Sequence, residues 1–307
     1  MLAREEVLLV VNPRAGGGWA KRIDWQRVCA SFDAPCRVVW SQSAQDALLH
    51  ASQFCLSGGR VLVVAGGDGS VHAVLPALMH TSTALALLPL GTSNVLAREL
   101  GYPLGRMALR GCLQALQAGA VRQMDVGVVN GRPFALMAST GFDAHVLPRV
   151  PEGLKKRWGV FAFIWTGLRE LRRYQPTRYL LTIDGGVQET EAVLLVASNT
   201  SRYGWFTVIA PSARIDDGLL DLVWFPAGAH WRRKIWWVLR DVLRGRAGQC
   251  AYLRFARAQS LLVEASSVQP VQCDGELVGE TPMAVHIVPS ALRVIAASPP
   301  ALSRNAV

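Results

Sequence analysis

The sequence predicts an α/β N-terminal domain, a parallel sheet with helices on both faces, followed by a C-terminal, mostly antiparallel β domain. Three observations lead there. Short β-rich runs alternate with helical-period segments in the N-terminal part, the pattern of a covered parallel sheet. From Arg122 onward, strand-like runs are separated by Asn-Gly and Asp-Gly pairs, which are hairpin turns. The chain has 307 residues, 51% hydrophobic and 18% charged, enough for two domains with substantial cores.

In order, the predicted strands of the first domain are Val7–Val11, Arg37–Trp40, Arg60–Ala65 and Ala84–Leu88. Helical patterns lie between and after them at about Ala20–Ser31, Ala44–Leu56, Val71–His80 and Asn94–Leu100. A further helix, Leu104–Ala118, stops at Gly119. In the second domain Asn130-Gly131 separates Val126–Val129 from Pro133–Ala138, and Asp184-Gly185-Gly186 separates Tyr179–Ile183 from Glu191–Ser198. More strands are expected at Phe206–Ala210, Leu219–Phe225, Leu261–Ala265, Val271–Asp274 and Ala284–Val288, with helical insertions at about Glu152–Tyr174 and Ala229–Leu243. The domains are read as 1–123 and 124–288. The run 289–299 is a candidate to return to the first domain, because Ala291–Ala297 is too short to stand alone.

Composition bounds the chemistry. A net charge of +10 attracts anions: phosphorylated metabolites, nucleic acid or acidic lipid headgroups. No reader motif accompanies the charge, which argues against nucleic acid. The six cysteines form no C-x-x-C pair and read as small buried hydrophobes in a reducing compartment, without a zinc site or disulfide framework. The N-terminus does not read as a signal peptide. The apolar stretch Trp158–Leu168 is short of the roughly 20 residues a membrane span needs. The expected location is therefore cytoplasmic, with any membrane contact peripheral.

Three predicted strand-to-helix turns are rich in glycine: Asn12-Pro13-Arg14-Ala15-Gly16-Gly17-Gly18, Gly66-Gly67-Asp68-Gly69-Ser70 and Leu90-Gly91-Thr92-Ser93-Asn94. Glycine lets backbone approach a ligand closely, and a following helix offers N–H groups and a positive dipole end to phosphate. One such loop often only connects elements; three at consecutive strand ends point to a phosphate site. There is no G-x-x-x-x-G-K-[ST] and no G-x-G-x-x-G after the first strand, which excludes the Walker and dinucleotide classes.

With Leu88-Pro89-Leu90-Gly91-Thr92-Ser93-Asn94 after Gly66-Gly67-Asp68-Gly69-Ser70, the chain resembles the catalytic domain of the diacylglycerol kinase and sphingosine kinase superfamily, closest to its bacterial members. Asn12-Pro13-x-x-Gly16-Gly17, Asp216-Asp217-Gly218-Leu219-Leu220-Asp221 and Asp274-Gly275-Glu276 complete the set in the same order. The first glycine-aspartate element is shared with NAD kinases and phosphofructokinases; the two late acidic elements separate the lipid kinases from them.

The resemblance implies an ATP- and Mg²⁺-dependent lipid kinase with its active site in a cleft between the domains. Gly66, Gly67, Asp68, Gly69, Ser70, Val71 and His72 would hold the ATP phosphates, with Asp68 also near the reacting centre. Asn12 and Thr92 would contact the nucleotide, and Ser41 stands where the family has a nucleotide-contacting threonine. Asp217, with the carbonyls of Arg214 and Leu219, resembles the family's structural magnesium site. Glu276 would be the general base for the lipid hydroxyl. Taken singly, Asp68 reads as a helix cap and the two late acidic elements as ordinary turns. The chain departs from the family pattern at Val95, where many members have Asp, and at Ser70, His72 and Ala73.

Two segments combine cations with tryptophan at helical spacing: Lys155-Lys156-Arg157-Trp158 through Tyr174, and Trp231-Arg232-Arg233-Lys234-Ile235-Trp236-Trp237 through Arg240. They read either as interfacial helices docking on anionic lipid or as helices that pack tryptophan on the core with arginine outward. The expected partner is a lipid substrate at an anionic membrane surface, and exposed strand edges in the second domain offer a homodimer contact. Two rival functions stay open: a kinase of a soluble acceptor, and a degenerate nucleotide- or lipid-binding regulator.

Overall fold

The computed structural model describes residues 6–32, 34–151, 153, 160–204 and 207–297. They form two compact units, one running up to Asp125 and resuming at Ser290, the other Val126–Pro289.

The first unit is built on β1 (Val7–Val11), α1 (Trp25–Ala30), β2 (Cys36–Trp40), α2 (Ala44–Leu56), β3 (Val61–Gly66), α3 (Asp68–Leu78), β4 (Ala84–Pro89), α4 (Val95–Glu99) and α5 (Ala108–Ala118). Its strands pair in parallel in the order β2-β1-β3-β4. The end of the final strand extends this sheet, with Arg293 and Val294 running parallel to Ala84 and Leu85 of β4. Central strands β1, β3 and β4 are buried along almost their whole length, as apolar strands covered on both faces should be. Because the strands run the same way, the turns that follow β1, β2, β3 and β4 all leave one edge of the sheet.

The helix expected over Ala20–Ser31 is broken at Ile23 and Asp24, both extended, and the chain before it is irregular. Gly16, Gly17 and Gly18 take φ of 60, 65 and 90°, a left-handed run inside the 3₁₀ segment Ala15–Arg22. Then α1 starts afresh after Asp24, whose carboxylate accepts the Arg27 N–H at 3.1 Å. The Asn12–Gly18 loop therefore does not lead straight into an α-helix. The cysteine reading is corrected as well. Cys29 and Cys36 are joined as a disulfide where the end of α1 meets β2, with Cα atoms 5.5 Å apart. Cys112, Cys250 and Cys273 are buried thiols, as expected.

The second unit begins within β5 (Val121–Val129) and continues through β6 (Arg132–Phe134), β7 (Met137–Gly141), α6 (Phe142–Val146), α7 (Val160–Glu170), β8 (Thr177–Ile183) and β9 (Gly186–Ser198). Then come β10 (Arg202–Tyr203), β11 (Thr207–Val208), β12 (Leu220–Pro226), α8 (Trp231–Leu243), β13 (Arg254–Ala258), β14 (Ser260–Ala265), β15 (Pro270–Cys273), β16 (Glu276–Glu280) and β17 (Met283–Ile295). Its antiparallel sheet runs β16-β15-β7-β9-β8-β14, then the first residues of β17. In the same sheet, off that path, β12 lies between β9 and β13. Tyr179, Leu181, Leu195, Leu222, Leu261, Val263 and Met283 are among the side chains of its core.

Hairpin turns form where the sequence places them. Asn130-Gly131, Asp184-Gly185 and Asp274-Gly275 each put both residues at positive φ, the pair that matches the twist of a two-residue hairpin. Among the predicted strands, Pro133–Ala138 divides into β6 and β7, and the runs Ala284–Val288 and Ala291–Ala297 join as one strand, β17, with Ser290 at φ 52°. The start of the Glu152–Tyr174 helix, including Lys155, Lys156, Arg157 and Trp158, lies outside the described residues, as does Phe206.

Candidate functional site

At the carboxyl ends of β1, β3 and β4 three loops meet through backbone that tolerates no side chain. A Cβ on Gly91 would lie 2.5 Å from the Gly67 Cα, and one on Gly66 would lie 2.4 Å from Ser70 Oγ. Side chains lock this contact. Asn12 Nδ2 donates to Ser70 Oγ at 3.0 Å, joining the β1 and β3 loops. Asn94, at φ 48°, accepts the Gly91 N–H at 2.9 Å and donates back to the Gly91 carbonyl.

Asp68 is not at the N-cap position of its helix. Gly67 is the N-cap of α3, and Asp68 Oδ1 accepts the Leu96 N–H of α4 at 3.2 Å, bridging the β3 and β4 loops. Helix α3 therefore starts inside the glycine-aspartate element, three residues earlier than its apolar period suggests. Of the other predicted nucleotide residues, Ser41 is buried and donates its hydroxyl to the Val11 carbonyl at 3.2 Å, just before Asn12. Val71 is buried, Gly69 is exposed, and His72 is half-buried on α3. Thr92 is exposed beside Gly91. Val95 opens α4 with its side chain buried, so no carboxylate stands there.

In the second unit, Glu276 is exposed at the first position of β16, directly across from Cys273. Its turn is held by two neighbours. Asp274 accepts the N–H groups of Ala135, Leu136 and Met137 at 2.8, 2.9 and 3.0 Å. Gln272 Oε1 accepts the Gly275 N–H at 2.9 Å, while its Nε2 donates to Ser139 Oγ and, at 3.3 Å, to Asp143. Asp143 also accepts from Ser139 and, at 2.8 Å, from Tyr203. Burial raises the Asp143 carboxyl above the usual range, and the bonds from Ser139, Tyr203, Ala144 and Gln272 only partly offset it. Sequence reasoning missed this network. Its members are scattered polar residues with no spacing pattern; the only signal is Gln272 inside an otherwise apolar strand.

The expected magnesium turn does not fit a divalent ion. Asp217 Oδ1 accepts the Leu219 N–H at 3.2 Å, and its Oδ2 is held by Arg257 Nη2. A guanidinium at that oxygen puts positive charge where an ion would need negative. Arg214 turns its side chain to Asp216, 3.4 Å away. Among the described residues no three His, Cys, Asp or Glu side chains gather as a metal group.

An α/β unit with glycine-built loops at its strand ends, followed by a mostly antiparallel β unit, is the layout of the diacylglycerol-kinase type of phosphotransferase. Residues 6–129 match the diacylglycerol kinase catalytic domain and 136–296 the YegS C-terminal NAD kinase beta sandwich-like domain. The chain is 32% identical over 295 residues to "Probable lipid kinase YegS-like" of Pseudomonas aeruginosa, covering 95% of this chain and 94% of that one. It is 29% identical to a diacylglycerol kinase of Bacillus subtilis, covering 78% of each. A diacylglycerol kinase structure from Bacillus anthracis superposes with a TM-score of 0.72 at 22% identity, over 95% of this chain and 97% of that one, which supports the fold. The chain thus belongs to the YegS-like lipid kinase branch of the diacylglycerol kinase family.

Proposed function

We propose that this kinase moves the γ-phosphoryl group of ATP onto a hydroxyl of a membrane-resident lipid. The observation that carries the lipid part is an apolar stripe open to solvent on α7. Phe161, Ile164, Trp165 and Leu168 follow the spacing i, i+3, i+4, i+7 and are all exposed, Trp165 by 66%. Helix α8 repeats the theme: Trp231, Ile235, Val238 and Val242 are buried, while Trp236, Trp237 and Leu243 face out among arginines. Among the described tryptophans of the two segments, packing on the core with arginine outward therefore describes Trp231. An exposed aromatic face with a basic rim suits an interface of anionic lipid. No described helix is long and apolar enough to cross a membrane.

In this reading, Gly66 through His72 and the N-terminus of α3 receive the phosphates of ATP, which arrives with its own Mg²⁺ as part of the substrate. Asn12, Ser41 and Thr92 line the nucleotide's approach. Asp68 stays tied to α4 and keeps the loops aligned, which is the main requirement of phosphoryl transfer. The Glu276 carboxylate takes the proton of the attacking hydroxyl. The test is transfer of labelled γ-phosphate from ATP into an extract of host lipids. A labelled lipid is expected with the wild type and not with Glu276→Ala; a folded, ATP-binding wild type that labels no lipid sinks the proposal.

A further inference from the structure

We infer that Arg257 is the resident cation of the Asp216–Asp221 turn, so that this turn holds its shape without a divalent ion. Arg257 is placed there by the sheet itself: on β13 it stands directly opposite Asp221 of β12. A cross-strand pair of opposite charge is a fixed feature of the ladder, independent of how the following loop settles. From that position Nη2 holds Asp217, and Nε lies 3.4 Å from Asp221 Oδ2. One planar guanidinium thus spans both carboxylates, a geometry lysine lacks.

The two carboxylates need a positive partner for different reasons. Asp221 is 2% exposed, with one oxygen bonded by the Ser212 hydroxyl and the other, Oδ2, without any hydrogen bond. That oxygen's compensation is the ion pair with Arg257, since an isolated buried charge is costly. Asp217 closes the turn at Gly218, φ 70°, by accepting the Leu219 N–H, and its outer oxygen takes the rest of the guanidinium. Bringing a divalent ion to Asp217 would require displacing Arg257, which would strip Asp221 of its partner. The two cations exclude each other, and the covalently attached one carries no cost of association.

Nucleotide-free protein tests this by thermal melting in EDTA and in millimolar Mg²⁺, a readout independent of catalysis and so of the kinase reading. Wild type is expected to melt at the same temperature in both. Arg257→Gln is expected to melt about 5 °C lower in EDTA and to regain part of that loss with Mg²⁺. Arg257→Lys, which keeps the charge, should lie between the two and remain insensitive to Mg²⁺. A wild type that Mg²⁺ stabilises, with the gain abolished in Asp217→Asn, overturns the inference. So does an Arg257→Gln variant that melts like the wild type. If Arg257→Gln does not fold, the wild-type comparison and Arg257→Lys decide the matter.

Discussion

Single residues hold the two parts of the proposed chemistry, and they do so through backbone. Gly91 is required because no Cβ fits against Gly67. Gly91→Ala is expected to weaken ATP binding at least tenfold, about 1.4 kcal/mol, by prying the β3 and β4 loops apart; titration calorimetry with ATP reads it. Asp274 satisfies three N–H groups with one carboxylate, so Asp274→Ala should lose roughly 3 kcal/mol in urea unfolding. The Gln272 side chain reaches the Glu276 turn through the Gly275 N–H. Gln272→Leu should therefore lower kcat of the lipid kinase reaction with the KM for ATP little changed; equal rises in KM would show that it shapes nucleotide binding instead.

At the scale of elements, α7 and α8 decide how the protein would meet lipid. Arg232 is not a free cation: its Nη2 donates to the Tyr174 carbonyl at 2.8 Å and its Nε to Leu171 at 3.3 Å, closing the turn after α7. It also stacks over Trp231. Charge reversal there would damage the fold and confuse a binding test. Arg233 and the exposed aromatics are the better probes. Flotation with anionic vesicles is expected to fall severalfold for Trp165→Ser with Trp236→Ser, and more modestly for Arg233→Glu. Unchanged flotation for both would show that these faces do not meet the membrane.

At the scale of the whole molecule, acidic pH acts on the second unit through Asp143 and Asp184. Asp143 is buried with a raised pKa, so the native state binds its proton more tightly than the unfolded chain does. That contribution is complete below the unfolded value of about 4 and is lost as pH rises through the folded one. Asp143→Asn mimics the protonated form and should gain on the wild type as pH rises from about 4, by up to ~1.4 kcal/mol per pH unit within that window. Urea unfolding at pH 4, 6 and 8 measures the difference; a constant difference would mean that Asp143 does not titrate there. Asp184 works in the opposite sense. Slight burial raises its pKa, but bonds from Ser260 and Gln259 outweigh this and hold it down, so its contribution disappears as pH falls below about 4.

Much of this was legible locally. Period and apolar runs predicted β1 and α2 to the residue, and Asn-Gly and Asp-Gly pairs marked the hairpins, because these signals depend on neighbours in the chain and on the φ that each residue tolerates. The glycine loops were legible for the same reason. What the side chains do was decided only by tertiary structure. Asp68 bonds α4, Asp274 holds residues far earlier in the chain, Cys29 meets Cys36, and Arg257 stands where magnesium was expected. Each of these is a polar or reactive side chain choosing among partners. That choice depends on which strands lie side by side, and sheet order is a property of the packed molecule, not of any local run of residues.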